Sequence, residues 1–370
     1  MEIYDRLGVA KIVNAQGNVT RIGGSIMSPA VLEAMAQASR HFVSIEDLNE
    51  RIGERIAGLM KVEAAMVCSG AAGGLLLAAA ACMSGSDEEK IRQLPDTTGL
   101  RDEFVVQSLQ SSPYNHSVRV AGGRLTEIGG EEGATEQEIG ESLGPGTAAF
   151  LYNILPISGV WGRGISLEQA VAVAHDNDVP VVVDASAILP PLSNLIDVPA
   201  TGADLVTFSG GKGLEGPQAT GILCGNSELI RAATMNANPN DSVGRAMKVA
   251  KEEMVGLLVA VERFFARDHE ADRKRWQSTC EYVAAAVEEI RGLTADVIFW
   301  EARGIPAVWL TVDEDELGQS RQDMADRLRS GEPPVLLWDY RGEFCVVPST
   351  LKDGEEKTVA EALRSAATRT

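Results

Sequence analysis

The chain has 370 residues, 45% of them hydrophobic and 23% charged, with 33 lysines and arginines against 53 aspartates and glutamates. That length can bury a substantial core and predicts two domains, or one large domain with a smaller appendage. The formal net charge of -20 repels phosphate backbones, so nucleic acid is not expected as a partner.

Five cysteines, Cys68, Cys82, Cys224, Cys280 and Cys345, show no CxxC spacing. That fits a reducing cytoplasm and supports neither a zinc site nor a disulfide framework, so no metal is expected. The opening run MEIYDRLGVAKIVNAQG lacks the basic and apolar regions of a signal peptide. The most apolar run, GGLLLAAAACMSG (73–85), is too short to span a bilayer. These features predict a cytoplasmic protein with no membrane partner.

Along the chain, Ser28-Pro29 opens an amphipathic helix, SPAVLEAMAQASRHF, with an N-cap followed by proline at the first helical position. AAMVCSG (64–70) reads as a short strand, with the helix AAGGLLLAAAACM (71–83) directly behind it. The polar stretch 84–103 reads as a surface excursion. EFVVQS, AAFLYNI, PVVVDAS, DLVTFSG and TGILCG are short apolar runs bounded by Gly, Pro or Asp, with helical SLEQAVAVAHDND among them. Continuous apolar strands imply burial on both faces, hence a largely parallel sheet with helices outside. Beyond residue 226 a long helical region from VGRAMKVAKEE onward precedes four short strands (DVIFW, AVWLTV, PVLLWD, EFCVVP) and a closing helix. The predicted class is α/β: an N-terminal segment (1–30), a large, mostly parallel sheet domain (31–240), and a linking helix with a small α+β domain (241–370).

Three features fall at the C-terminal ends of predicted strands, where open α/β sheets hold their ligands. Asp184 ends the apolar run VVVD, Lys212 sits in TFSGGKG after the next strand, and CSGAAGG (68–74) is a strand-to-helix junction whose free N–H groups can hold an anion. An anion cradle, a carboxylate and a lysine in this order point to pyridoxal 5′-phosphate (PLP). Lys212 would form the Schiff base, Asp184 would pair with the pyridine nitrogen, and Ser209 would add a hydroxyl to the phosphate cradle. The glycines around Lys212 would let the backbone approach the cofactor. No GxxxxGK[ST] is present and no GxGxxG follows the first strand, which argues against a nucleotide-binding protein.

DLVTFSGGKGLEGPQATGILCG, VPVVVDASAILPPLSNL, VGRAMKVAKEEMVGLL and IVNAQGNVTRIGGSIMSPAVLEAM together resemble the selenocysteine-synthase-like (SelA-like) family of fold-type-I PLP enzymes, over about residues 10 to 360. The resemblance implies that fold, a homodimer or higher homo-oligomer, and a set of further site residues. The backbone at Gly70, Ala71 and Ala72 would hold the phosphate. His116 would lie over the cofactor ring, and Gln218 would reach toward a neighbouring subunit. Ser186, where a small apolar residue is more usual, would add a hydroxyl near the ring. Arg245 and Lys248, read as helix-borne, and Thr20 and Arg21 would contact substrate. The family admits several reactions on a small amino acid. The leading expectation is β-elimination of an ammonia-lyase or dehydratase type, giving a 2-keto acid. Racemisation, epimerisation and aldol cleavage are alternatives, followed by selenium transfer and by cofactor binding without turnover. A tRNA-dependent transferase would carry an additional N-terminal RNA-binding domain and a basic surface, and neither is expected here.

Overall fold

The computed structural model describes residues 2–156, 160–340 and 342–368. Its strands are β1 (Val13–Ala15), β2 (Ala64–Cys68), β3 (Glu103–Gln107), β4 (Arg124–Ile128), β5 (Thr147–Asn153), β6 (Val181–Asp184), β7 (Leu205–Ser209), β8 (Gly221–Gly225), β9 (Leu293–Trp300), β10 (Ile305–Val312), β11 (Val335–Tyr340) and β12 (Glu343–Val346). The chain divides into two compact units, Ser25–Arg267 and Met1–Gly24 together with Asp268–Thr370.

The larger unit is built on a seven-stranded sheet in the order β2-β8-β7-β6-β5-β3-β4. Strand β8 runs antiparallel to both neighbours, and the remaining pairs are parallel. Successive strand residues alternate between two cores. Val105, Phe150, Val183, Val206 and Ile222 enter one, while Phe104, Val106, Leu151, Val182, Leu205 and Leu223 enter the other. Burial on both faces is why these strands read as unbroken apolar runs.

Local chemistry sets the helix starts. Ser28 Oγ accepts from Val31 N–H at 3.4 Å and opens helix Pro29–Ala38; Ser44 Oγ accepts from Asp47 N–H at 3.1 Å and opens Ile45–Met60. The alanine-rich helix Gly70–Ser84 is buried almost all round, as its uniformly apolar sequence requires. The polar excursion after it holds a short helix, Glu88–Gln93, capped by Asp87 and anchored by buried Ile91 and Leu94.

The linking region differs from expectation. Helix Ser227–Asn236 ends, and 243–250 is not helical. Ser242 Oγ donates to Asn236 O at 2.6 Å, Asn238 Nδ2 to Arg245 O at 3.0 Å, and Gly244 N–H to Asn236 O at 3.0 Å. These hydrogen bonds within 236–245 override the helical pattern of GRAMK. The helix starts only at Lys251, where the Glu253 carboxylate accepts the Ala250 N–H at 3.1 Å, and runs to Ala266. A second helix, His269–Val287, starts afresh behind an Asp268 cap.

The smaller unit carries a five-stranded sheet in the order β1-β11-β12-β10-β9, antiparallel except for the β1–β11 pair. Cys280, Val283 and Val287 of helix His269–Val287 share a core with Val308, Leu310, Phe344 and Val346 of the sheet and with Val359 and Leu363 of the closing helix Glu355–Ala367.

Candidate active site

Asp184 is the last residue of β6 and is 7% exposed. Its strand partners are Asn153 at the end of β5 and Thr207 in β7. The backbone N–H of Ser186 donates to Asp184 Oδ1 at 2.9 Å, and no cation pairs with this carboxylate among the described residues. A buried charge with a single donor needs a positively charged hydrogen-bond partner. Lys212, half-buried in the loop after β7, extends Nζ to within 3.5 Å of Ser186 Oγ. Ser186 therefore meets Asp184 through its backbone and Lys212 through its side chain.

The glycines flanking Lys212 are required by the packing of the chain on itself. A Cβ at Gly210 would lie 2.1 Å from Thr220 Oγ1, at Gly211 2.3 Å from Gln218 Cα, and at Gly213 2.4 Å from Leu189 O. The loop is thus pressed onto its own return strand and onto the segment after β6. That packing, with Gly216 N–H donating to Gly210 O at 2.9 Å and Ser25 Oγ to Gly211 O at 3.1 Å, fixes where Lys212 points. Gln218 is exposed at the far side of this turn.

Helix Gly70–Ser84 begins directly behind β2, and its N-cap Ser69 makes no side-chain cap hydrogen bond. The N–H groups of Gly70, Ala71 and Ala72 form its first turn, where an uncapped helix end favours an anion. Ser209, at the end of β7, pairs with Gly221 of β8, and a Cβ at Gly221 would lie 2.5 Å from the Gly70 carbonyl carbon. The Ser209 strand end and the helix start therefore lie side by side. Burial pushes the Cys68 thiol up to about 12, so this cysteine beside the helix start is no nucleophile.

Arg245 and Lys248 are exposed, and they stand on the non-helical segment rather than on a helix. That segment passes the same helix start, since a Cβ at Gly73 would lie 3.7 Å from Met247 Sδ. Arg245 pairs with Asp241 at 3.6 Å. His116 is exposed and opens the short helix His116–Val120. Thr20 and Arg21 belong to the turn Thr20–Ile22 of the other unit.

Sequence reasoning did not single out a set of buried amides beside Asp184. Asn153 Nδ2 donates to Asn115 Oδ1 at 2.7 Å and to Gln110 O at 2.8 Å, and Asn115 directly precedes His116. Gln107, wholly buried at the end of β3, accepts from Ala134 N–H at 3.0 Å. Gln107 and Asn153 end apolar strands just as Asp184 does, and that position was the available signal. Among the described residues no acidic, histidine or cysteine cluster could hold a metal, and no helix is long and apolar enough to cross a membrane.

Comparison with known proteins places the whole chain in one family. The family model for SelA, L-seryl-tRNA selenium transferase, matches residues 12–295. A 5′-C-glycyluridine monooxygenase-decarboxylase from a Streptomyces species is 33% identical over 96% of this chain and 90% of its own. The D-glucosaminate-6-phosphate ammonia lyase of Salmonella typhimurium is 32% identical over 99% of this chain and 98% of its own. A solved D-glucosaminate-6-phosphate ammonia-lyase superposes with a TM-score of 0.86 at 31% identity, covering 99% of this chain and 98% of that one. Serine palmitoyltransferase from Sphingomonas wittichii, at 12% identity, shares the fold with a TM-score of 0.61 over 96% of this chain and 87% of its own. The chain belongs to the SelA family of fold-type-I, pyridoxal-phosphate-dependent enzymes.

Proposed function

We propose that this enzyme is a PLP-dependent lyase that carries out β-elimination on a small polar amino acid and releases a 2-keto acid and ammonia. The observation that carries the reading is the buried Asp184 carboxylate, without a cation among the described residues, linked through Ser186 to Lys212. The full-length similarity to an ammonia lyase supports the reaction type.

The residues suit the cofactor. Asp184 offers its charge to a pyridinium N–H, the uncapped N–H groups of Gly70, Ala71 and Ala72 with the Ser209 hydroxyl suit the phosphate, and Lys212 suits the aldehyde. PLP, when bound, supplies the electron sink that lets a Cα bond break. Lys212 would be the group that moves the Cα proton. The Ser186 hydroxyl orients its amine. His116, next to the Asn115 side chain that Asn153 holds, would cover the cofactor ring and limit water. Arg245 and Lys248, exposed on the segment beside the helix start, receive an acidic group of the substrate, and a phosphorylated sugar acid fits that requirement. Gln218 faces a neighbouring subunit of a homodimer or larger homo-oligomer. The five free thiols accord with the cytoplasm.

A second reading comes from the monooxygenase-decarboxylase relative, whose identity of 33% is close to the lyase's 32%. Decarboxylation would break the bond from Cα to the carboxylate instead of removing the Cα proton. Selenium transfer is disfavoured by the -20 charge and by an identity of 26% to the Desulfomicrobium baculatum transferase. The deciding experiment incubates PLP-loaded protein with D- and L-hydroxy amino acids, D-glucosaminate 6-phosphate among them. Ammonia, keto acid, carbon dioxide and Cα configuration are then measured. Ammonia and keto acid in equal amounts, absent from Lys212→Ala, are expected. Carbon dioxide in their place would replace the lyase with a decarboxylase, and inverted Cα without ammonia would replace it with a racemase.

A further inference from the structure

Arg303 lies in the unit formed by Met1–Gly24 and Asp268–Thr370, in the single turn Glu301–Arg303 between β9 and β10. Its guanidinium carbon sits 4.6 Å from the ring centroid of Trp300 and 4.5 Å from that of Trp338, in the corner made by two indoles that stand at 85° to each other. Trp309 and Trp338 in turn meet Trp300 edge-on, with centroids 5.7 and 6.0 Å away. Trp276, Cys345 and Val347 complete this small core.

Among the described residues, three buried side-chain donors of this cluster lack a hydrogen-bond partner. Arg303 makes no hydrogen bond or ion pair among the described residues, and its Nε is buried without a partner. The indole N–H groups of Trp276 and Trp309 are likewise buried and unpaired. The titratable group that interacts with Arg303 is the Cys345 thiol, which burial pushes up to about 12 and so keeps neutral. Burial lowers Arg303 itself to about 10, which still leaves it charged at neutral pH. Cation–π contact offsets part of the cost of burying the charge, yet buried cations are ordinarily matched by an anion. Unlike Nε, the two terminal nitrogens are not sealed from solvent. Their approach passes Gly17, where φ is +84° and where a Cβ would stand 3.7 Å from Arg303 Nη1 and 3.1 Å from Val347 Cγ1. Glycine keeps that side of the guanidinium open.

We propose that Arg303, seated in the corner of Trp300 and Trp338 and reached past Gly17, is a binding site for the carboxylate of a small-molecule acid. The two terminal N–H edges match the planar, two-oxygen geometry of a carboxylate. The site stands apart from the lyase reading and does not depend on it.

Four of the five tryptophans, Trp276, Trp300, Trp309 and Trp338, belong to this cluster, so intrinsic emission reports on it directly. PLP-loaded, full-length protein is titrated with acetate, succinate and inorganic phosphate at constant ionic strength set with sodium chloride. A saturable emission change is expected with the carboxylates. Arg303→Met should abolish it, and Arg303→Lys, which keeps the charge but loses the fork, should weaken it at least about tenfold. Far-UV circular dichroism checks folding, and Arg303→Lys carries the test if Arg303→Met does not fold. The assignment is overturned if wild type shows no saturable change with either carboxylate. It also fails if phosphate alone responds, or if a folded Arg303 variant responds as wild type does.

Discussion

Asp184 is held by its place in the fold more than by its contacts, since a carboxylate 7% exposed with one backbone donor is an unfavourable group to fold around. Replacing it with asparagine keeps the acceptor for Ser186 N–H and removes the buried charge. PLP-free Asp184→Asn should therefore unfold at a urea concentration equal to or above wild type, by up to about 1–3 kcal/mol. Added PLP should then stabilise the variant less than wild type, and turnover should fall by about 10²–10³, the usual loss when a pre-placed electrostatic partner is removed. Equal stabilisation of both proteins by PLP would remove Asp184 from the cofactor site. This residue was legible in the sequence because a charge ending an apolar strand contradicts its surroundings. Asn153 and Gln107 end strands in the same way, and that position was their one signal, but a neutral amide contradicts its surroundings far less than a charge does, so their role shows only in their hydrogen bonds. Arg303 gave no sign at all, because Trp300 and Trp338 reach it from separate strands, β9 and β11.

At the level of elements, the strands of the larger sheet were readable because burial on both faces leaves no polar alternation to confuse them. The linking helix was misread over 243–250 because residue pattern says nothing about hydrogen bonds donated from Ser242 and Asn238. Glycine is similarly ambiguous, and helix Ile45–Met60 shows both of its uses. Gly58 is exposed, with nothing within 4 Å of a Cβ, whereas a Cβ at Gly53 would fall 2.1 Å from the carbonyl oxygen of Ala65 at the start of the neighbouring β2. Alanine at position 58 only relieves the helix of a poor helix former and should stabilise by about 0.5–1 kcal/mol. At position 53 the same change collides with backbone that cannot rotate away, and should destabilise by about 1–3 kcal/mol. Urea midpoints at unchanged slope measure both. Two shifts of the same sign would mean that the helix is not seated on β2 as described.

Across the whole molecule, 53 acidic against 33 basic side chains leave a surface that repels itself. Raising sodium chloride from about 20 to 200 mM shortens the screening length to below about 10 Å and should raise the melting temperature; a fall would mean that attractive pairs dominate instead. The chain's topology has a more specific consequence. The segment Met1–Gly24 and the residues from Asp268 onward form one unit, although more than half the chain separates them. The link is β1, whose three residues are too few to show a strand pattern in sequence. Val13 and Ala15 enter the core beside Val335 and Leu337, and β1 pairs in parallel with β11 through Val13–Val335, Asn14–Leu336 and Ala15–Leu337. Thr350 Oγ1 donates to Asn14 O and Val347 N–H to Ala15 O, each at 2.8 Å. Deleting residues 2–16 removes a buried valine and these hydrogen bonds, and it leaves the edge of β11 open to pairing with another chain. The loss should come to about 2–4 kcal/mol, from burial of one aliphatic side chain and two or three net hydrogen bonds. Tryptophan emission should show it as an unfolding midpoint at lower urea, since four of the five indoles belong to this unit, and the truncated protein should aggregate more readily on concentration. A midpoint equal to that of the full chain would mean that the C-terminal sheet closes its own edge and that β1 only decorates it.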